Sequence, residues 1–415
     1  MRTIIALGTT LWVAALTTSC GSDPVGPQEI TQLPRDLEVA EVELIAADNA
    51  FGLKLFRQIQ AETADGNIFV SPLSVAMALG MTYNGAAGST LSAMQETLEL
   101  QGLTLEQVNR SYRSLIDLLA GLDPSVEFIL ANSIWYRQGF PVEQSFLDVN
   151  REYFDAEVAA LDFASPGAAT TINDWVAEKT NGRIDEIVDS PIDPILVMFL
   201  INAIYFKGDW TYQFDRDLTR DAPFFLESGS EKLVPTMAYG EPVEVGYYKD
   251  SEIEAVDLPY GGKAYSMTIM LPVGEGNVGA LVESLDGARW AQVVGGMAVL
   301  EAEVRMPKFT LEYELELNDA LKALGMEVAF DQGAADFSKI YPGPERLFIS
   351  KVKHKTFVDV NEEGTEAAAV TSVEVGLTSA PPVISVDRPF VFVIRERLSS
   401  TILFMGLITD PAGAA

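Results

Sequence analysis

Apolar residues recur at helical spacing in the early part of the chain. From Val42 onward, Phe51, Leu55 and Ile59 fall on one face, which predicts an amphipathic helix. Residues 172–184 repeat this spacing and predict another helix of the same kind.

The residues around position 71 predict the start of a buried helix. Ser71 suits the N-cap, and Pro72 suits the first turn because a proline there loses no helical hydrogen bond. Residues 75–81 are small and apolar with no polar face, so this helix is predicted to be covered on all sides.

Strand patterns dominate the rest of the chain. They cover residues 128–135, 197–206, 266–271, 304–311, 390–394 and 401–408. A further segment, 351–360, alternates and puts Val352, His354, Thr356 and Val358 on one side. Helices and strands mix without a βαβ rhythm, and no internal stretch has the composition of a linker. The pattern therefore predicts one α+β domain over residues 42–412.

The composition excludes several classes of function. Lys and Arg number 28 against 60 Asp and Glu, giving a net charge of −32. This excess of acid argues against nucleic acid and against an anionic membrane surface as main partners. One His and one Cys leave no disulfide within the chain and too few ligands for a structural zinc site, which needs about four. No metal and no cofactor is predicted.

The amino terminus predicts export. Residues 1–19 hold an apolar run, 4–16, that is too short to span a bilayer and suits a signal peptide. Cys20 follows in a context that resembles a bacterial lipoprotein signal, although Thr17 stands where that signal usually has Leu. The lipid-anchored reading predicts a protein of the cell envelope, and the alternative is a plain secretory signal. Residues 20–41 are predicted to be a flexible tether.

Catalytic and metal motifs are absent or incomplete. The run from Asp359 to Gly364 begins like a calcium loop, but Val370 stands where the loop needs its last carboxylate. No nucleophile elbow occurs, and His354 is the only possible histidine base. Since His354 lies on an alternating strand, it is predicted to be a buried histidine satisfied by hydrogen bonds. An enzyme is not predicted.

The segment 362–375 is the most unusual stretch. It alternates, so one face would carry Thr365, Ala367, Ala369, Thr371 and Val373, and the other Glu366, Ala368, Val370, Ser372 and Glu374. Gly376 and Pro381 follow and suit an exposed loop. Small side chains could slide between two strands without clashing. The segment therefore predicts a loop that can become a strand, the alternative being an ordinary edge strand.

The chain resembles the serpins over residues 42–411. The motifs that carry this resemblance, in order, are NIFVSPLS at 67–74, TYNGAAG at 82–88, NDWV at 173–176, TNGRI at 180–184, NAIYFKGDW at 202–210, LPY at 258–260, MPKF at 306–309, the hinge segment 362–371, DRPF at 387–390 and LFMG at 403–406. The resemblance implies three β-sheets, about nine helices and an exposed reactive loop. It also implies a monomeric inhibitor that serves its target serine protease as a suicide substrate and is trapped with it when the cleaved loop inserts into the large sheet.

The family's spacing implies the position of the cleaved bond. It lies fourteen residues past the hinge glycine, so Gly364 implies cleavage between Thr378 and Ser379. Thr378 suits elastase-like or subtilisin-like proteases, and the absence of Lys and Arg between Gly364 and Arg388 argues against trypsin-like targets. A shift of one residue to Leu377 would suit chymotrypsin-like pockets. Leu377 upstream of the bond also suits papain-like cysteine proteases.

The resemblance further implies three sets of functional residues. The hinge comprises Glu362, Gly364, Thr365, Glu366, Ala367, Ala368 and Ala369. A sheet-opening cluster comprises Ser71, Ser74, Asn202 and His354, and a loop-insertion cluster comprises Trp210, Thr219, Lys308 and Glu362. Two other functions stay open: a non-inhibitory binding module, which the small hinge residues disfavour, and a secreted hydrolase.

Overall fold

The structure is a computed structural model that describes residues 28–63, 66–274, 276–365 and 381–413. Its helices are α1 (Val39–Glu62), α2 (Pro72–Tyr83), α3 (Gly88–Thr97), α4 (Leu105–Leu119), α5 (Gln144–Phe154), α6 (Ala168–Lys179), α7 (Val278–Ser284), α8 (Gly287–Gly295), α9 (Asn318–Leu321) and α10 (Glu327–Phe330). A π-helical turn, Lys322–Met326, joins α9 to α10. Taking that joined pair as one, the described residues form nine helices.

Sixteen strands complete the described part of the chain. They are β1 (Ile68–Val70), β2 (Val126–Arg137), β3 (Glu157–Leu161), β4 (Met198–Asp209), β5 (Arg220–Phe225), β6 (Glu231–Ala238), β7 (Val243–Lys249), β8 (Ile253–Tyr260), β9 (Tyr265–Pro272), β10 (Ala298–Pro307), β11 (Phe309–Glu316), β12 (Lys353–Val360), β13 (Gly364–Thr365), β14 (Val383–Ser385), β15 (Phe390–Glu396) and β16 (Ile402–Ile408). The strands predicted at 390–394 and 401–408 are confirmed and form the antiparallel pair β15–β16.

Six strands form the large sheet, in the order β11-β12-β13-β4-β2-β3. Its longest ladder is the antiparallel pair of β2 and β4, and the predicted strand 197–206 is confirmed as β4. Helix α6 packs on the outer face of this pair and encloses a small separate core that includes Trp135, Ile172 and Trp175. The inner face lies on the main core.

Strand β13 is only two residues long and lies between β12 and β4. Thr365 pairs with Val360 on one side and with Gly208 on the other, while Gly364 pairs with Asp209. Below this short strand, no backbone ladder joins β12 to β4 within the described residues. The sheet therefore contains only the first two residues of a strand between β12 and β4. Beyond these two residues, the neighbouring strands do not pair with each other in the described chain.

Two further sheets cover the rest of the core. One has the order β1-β16-β15-β9-β8-β7, and the other joins β5, β6, β10 and β14. Strand β10 links them, because it pairs with β7 near its start and with β6 near its end. Every residue of β9, β15 and β16 is buried, including the charged pair Arg395 and Glu396 at the end of β15. The α+β class and the three sheets are confirmed.

Helix α2 begins as its sequence predicts. The Ser71 side chain accepts a hydrogen bond from the Ser74 N–H at 3.2 Å, and Pro72 occupies the first turn. All of α2 except Ala78 is buried. None of the described helices combines the length and the hydropathy that crossing a membrane requires.

Two boundaries differ from the sequence prediction. The prediction of a single strand over 304–311 is wrong. Lys308 separates two strands, β10 and β11, which belong to different sheets. Helix α6 ends at Lys179 instead of continuing to residue 184. Asn181 and Gly182 have positive φ angles of 48° and 75°, and the Gly182 N–H bonds back to the Ala177 carbonyl at 2.7 Å, which closes the helix.

The last part of the predicted tether is held against the body of the protein. The Ile30 N–H donates to the Gly262 carbonyl at 2.7 Å, and Arg35 pairs with Glu41 at 2.6 Å. Ile30, Leu33 and Leu37 pack on the main core. Residues 28–37 are thus attached, whereas the sequence predicted a flexible segment through residue 41; the earlier part, 20–27, lies outside the described residues.

Candidate functional site

The first part of the candidate site surrounds Glu362, just before β13. Its Oε2 lies 2.7 Å from Lys308 Nζ, and its Oε1 accepts a hydrogen bond from Thr219 Oγ1 at 2.7 Å. The Phe214 N–H donates to its carbonyl at 2.9 Å. Burial opposes ionisation of this carboxyl, but the hydrogen bonds from Lys308 and Thr219 outweigh it and lower the pKa of Glu362. Glu362 is therefore a charged and firmly held residue.

Trp210 holds the backbone on both sides of Glu362. Its indole N–H donates to the Asn361 carbonyl at 2.9 Å, and its backbone N–H donates to the Glu363 carbonyl at 2.8 Å. The ring stacks on Tyr260 with a centroid distance of 4.4 Å. The four predicted residues of the loop-insertion cluster, Trp210, Thr219, Lys308 and Glu362, are thus brought together around the start of β13.

The structure adds residues to this cluster that the sequence did not single out. Tyr260 OH lies 2.9 Å from Thr365 Oγ1, and both groups are buried. Glu363 forms an ion pair with Arg216, and the Asn361 amide oxygen accepts from the Glu363 N–H at 3.1 Å. Tyr260 stood in a recognised motif, but nothing in its spacing indicated a contact with a residue more than a hundred positions away.

Gly364 is fixed by the approach of another strand. A Cβ at this position would lie 2.2 Å from the Gly208 carbonyl oxygen, so no larger residue fits without moving the backbone of β4. Thr365 follows and is buried. The direction in which the strand enters the sheet is therefore set by two adjacent residues.

The second part of the site lies beneath the large sheet, where α2 begins. The Ser71 N–H donates to His354 Nε2 at 3.0 Å, and Ser71 Oγ donates to the Leu403 carbonyl at 2.7 Å. Ser74 Oγ lies 3.4 Å from the Asn202 carbonyl. Ser71, Ser74 and His354 thus share one network that connects α2 with β12, β16 and β4.

His354 is a neutral acceptor in this network. Burial lowers its pKa to about 4, and Nε2 carries no proton because it accepts the Ser71 N–H. The prediction of a buried, hydrogen-bonded histidine is confirmed. An imidazole used as a structural acceptor in this way is not placed as a catalytic base.

Asn202 joins the network through its backbone carbonyl, and its Nδ2 also lies 3.9 Å from Met77 Sδ on α2. Its Nδ2 donates to Asn132 Oδ1 at 2.8 Å, across the β2–β4 pair, and its Oδ1 is buried with no hydrogen-bond partner. Asn132 in turn donates to the Phe154 carbonyl at 2.7 Å. The side chain of Asn202 therefore belongs to a rung on β2 and β4, and Asn132 is a member that sequence reasoning missed.

A row of lysines on the outer face of β12 holds the segment that follows α6. Lys353 lies 3.2 Å from Asp189 and 2.9 Å from Glu314, and Lys355 lies 2.8 Å from Glu312 and 3.6 Å from Asp185. The bonds to Glu312 and Glu314 reach β11, while those to Asp185 and Asp189 reach the connection that leads into β4. These ion pairs therefore tie the β4 side of the sheet to β12.

The other predicted site residues lie outside the described residues. They are Cys20, Glu366, Ala367, Ala368, Ala369, Thr378 and Ser379. Among the described residues, no group of three or more His, Cys, Asp or Glu could hold a metal ion.

Comparison with known proteins identifies the class. The family model for serpins, serine protease inhibitors, matches residues 46–411. The leukocyte elastase inhibitor of Bos taurus is 35% identical, covering 89% of this chain and 100% of the relative. The chain therefore belongs to the serpin family.

Solved structures agree with this assignment. The thermophilic serpin tengpin in its native state has a TM-score of 0.80 at 29% identity, covering 93% of this chain and 98% of tengpin. Human thyroxine-binding globulin complexed with its ligand has a TM-score of 0.80 at 28% identity, covering 90% of this chain and 100% of the globulin. These likenesses confirm the serpin fold.

Proposed function

We propose that this protein inhibits a serine protease by acting as its suicide substrate. The observation that carries the proposal is the position of β13. Gly364 and Thr365 begin a strand between β12 and β4, and those neighbours form no ladder with each other below it in the described chain. A cleaved loop continuing from Thr365 would extend this strand and supply the missing ladder.

The chemistry belongs to the target protease. Its serine hydroxyl attacks the carbonyl carbon of Thr378, the amide bond to Ser379 breaks, and the Ser379 amine leaves with the proton. An ester between the protease and Thr378 is formed. Insertion of the loop then draws the esterified protease across the molecule before water can release it. Each new ladder hydrogen bond contributes about 0.5–1.5 kcal/mol net, so a strand of about ten residues makes insertion strongly downhill.

Specificity is proposed from the residues at the bond. Thr378 suits the small or aliphatic pockets of elastase-like and subtilisin-like proteases, and Leu377 favours chymotrypsin-like enzymes if the register shifts by one. The 35% identity to a leukocyte elastase inhibitor supports an elastase-like target. Leu377 keeps a papain-like cysteine protease as a second possible partner.

A binding function is the second candidate. It is favoured by the likeness to thyroxine-binding globulin, a relative of the same fold whose solved structure contains thyroxine. The hinge distinguishes the two, because Thr365, Ala367, Ala368 and Ala369 are small enough to enter the sheet. A pure binding module has no need of an insertable hinge.

The place of action is proposed from the amino terminus. The apolar run 4–16 supports export, and Cys20 supports a lipid anchor in the cell envelope. Mass spectrometry of the protein purified from its own membranes would test this, because a lipidated Cys20 would be the first residue and would carry the mass of the acyl chains.

The inhibitory function is tested by mixing the mature protein with a panel of proteases. The panel contains an elastase, a subtilisin, a chymotrypsin, a papain-like enzyme and a trypsin, each beside its active-site variant. The proposal predicts a complex stable in SDS with the elastase or the subtilisin, absent with the inactive variants and with trypsin. Mass spectrometry should find a released peptide that begins at Ser379. Cleavage without any stable complex across the whole panel would contradict the proposal.

A further inference from the structure

Asp48, on α1, carries a buried carboxylate that the inhibitory mechanism does not use. Its side chain is 4% exposed. Tyr112 OH on α4 donates to Oδ1 at 2.8 Å, whereas Oδ2 is buried without any hydrogen-bond partner. A buried ionised carboxylate normally accepts several hydrogen bonds or faces a cation. One neutral donor is far less than this group needs in its charged form.

Within the described part of the chain, Asp48 forms no ion pair, and no cation lowers its pKa. Helix α2 has no Asp, Glu, Lys, Arg or His between Pro72 and Tyr83. On the solvent side of α4, Arg113 pairs with Asp117 and Asp155.

Two turns earlier on α1, Glu41 pairs with Arg35, and the ring of Tyr112 packs against Phe154. Burial accordingly raises the pKa of Asp48 to about 7, while the Tyr112 hydrogen bond acts in the opposite direction.

We propose that Asp48 is a pH-sensitive element of native stability, a carboxylic acid in weakly acidic medium and a destabilising carboxylate at alkaline pH. Protonated, it can be buried between α1, α2 and α4 without a charge. Ionised, it places an uncompensated charge against Tyr112, whose OH also lies 3.4 Å from the Ala76 carbonyl of α2, the helix whose first turn carries Ser71 and Ser74. Alkaline conditions should thus loosen the support beneath the sheet-opening cluster.

The direction of the pH dependence follows from the proton affinities of Asp48 in the unfolded and the folded state. An unfolded aspartate has a pKa of about 3.9, so the folded state binds this proton more tightly. The resulting stabilisation is complete below about pH 4 and is lost as pH rises through about 7. His354 contributes in the opposite direction over part of this range. The wild-type profile alone therefore does not report Asp48, and a variant is needed.

The test compares wild type with Asp48→Asn, which keeps the shape of the protonated acid and cannot ionise. The unfolding equilibrium in urea is followed by tryptophan fluorescence between pH 5 and pH 8.5. The ratio of the wild-type to the D48N unfolding constant should rise by more than about tenfold over this range. Asp117→Asn, which replaces an exposed acid on α4, is the matched control. The ratio of the wild-type to the D117N unfolding constant should stay constant between pH 5 and pH 8.5.

Two further variants make the result decisive. Tyr112→Phe removes the hydrogen-bond donor that favours the carboxylate. The rise in the ratio of unfolding constants should then extend to higher pH. If D48N does not fold, Asp48→Ser takes its place. The test compares how the unfolding constant changes with pH and does not depend on the absolute urea midpoint. A ratio of unfolding constants that stays constant from pH 5 to pH 8.5 would overturn the proposal.

Discussion

Lys308 Nζ lies 2.7 Å from Glu362 Oε2, and this contact joins the chain between β10 and β11 to the residue that leads into β13. The lysine side chain is 38% exposed and that of the glutamate 9%. Such a partly buried pair is worth more than an exposed one, whose contribution is about 0–1 kcal/mol, because its carboxylate would otherwise remain buried without a cation. The pair fixes Glu362, just before β13, to the chain between β10 and β11.

Glu362→Lys should open this end of the sheet. Two cations would meet next to the start of β13. The unpaired edges of β4 and β12 would then accept the loop of a second molecule. We expect slow polymerisation on mild heating, measured by native gel electrophoresis beside wild type. The double variant E362K/K308E restores opposite charges and should return the protein to a monomer. An E362K protein as monomeric as wild type would remove this role from the pair.

Thr365→Arg should convert the inhibitor into a substrate. Thr365 is buried and its Oγ1 lies 2.9 Å from Tyr260 OH, so an arginine would carry an unpaired charge into the sheet at a cost of several kcal/mol. The measurement is the number of inhibitor molecules consumed per protease inactivated, which should rise severalfold. Thr365→Ser is the matched control and should behave as wild type. Unchanged stoichiometry in T365R would contradict strand insertion from this residue.

His354 should make the protein less stable as pH falls from about 6.5 to about 4. An unfolded histidine has a pKa of about 6.5, whereas burial lowers that of His354 to about 4. The unfolded state therefore binds the proton more readily, and stability is lost towards the folded value. His354→Gln keeps an acceptor for the Ser71 N–H and should flatten this part of the profile in urea unfolding. An acid-side slope that is identical in H354Q would assign the loss to other groups.

Lys353→Met should release the segment that follows α6. Lys353 is the cation shared by Asp189 and Glu314, and its side chain is 17% exposed, so methionine preserves most of the packing but removes both ion pairs. Hydrogen–deuterium exchange in residues 183–196 is expected to become severalfold faster. Lys322→Met, which breaks the exposed pair with Asp319, is the control and should leave exchange in 183–196 unchanged. Equal exchange in K353M and wild type would show that the lysine row does not hold the segment.

Much of the fold could be predicted because its elements have local causes. The Ser71 cap, the apolar run of β4 and the alternation of β12 each follow from a few consecutive residues. The break at Lys308 follows Pro307, but that β10 and β11 join different sheets depends on partners that are distant in sequence. The attachment of residues 28–37 likewise depends on a distant partner, the Gly262 carbonyl.

The residues of the candidate site could be predicted from sequence motifs, whereas most of their contact partners could not. The alternation of residues 351–360 predicted that His354 is buried, and the resemblance to serpins supplied the grouping of Glu362 with Lys308. The partner of Asn202 was not accessible in this way, since Asn132 becomes its neighbour only through the register of β2 and β4. Tyr260 meets Thr365 through the packing of two different sheets, since β8 and β13 do not pair with each other and are far apart in sequence.

Insertion of the loop between β12 and β4 is the central claim, and thermal unfolding before and after loop cleavage tests it most directly. The loop is cut with a protease that cleaves near Thr378 without being trapped, and the unfolding midpoint is measured by calorimetry. Completion of the strand that begins at Thr365 should raise the midpoint by more than about 10 °C. The T365R variant, cleaved in the same way, should show little of this rise. A cleaved wild-type protein that unfolds at the same temperature as the intact one would contradict the account.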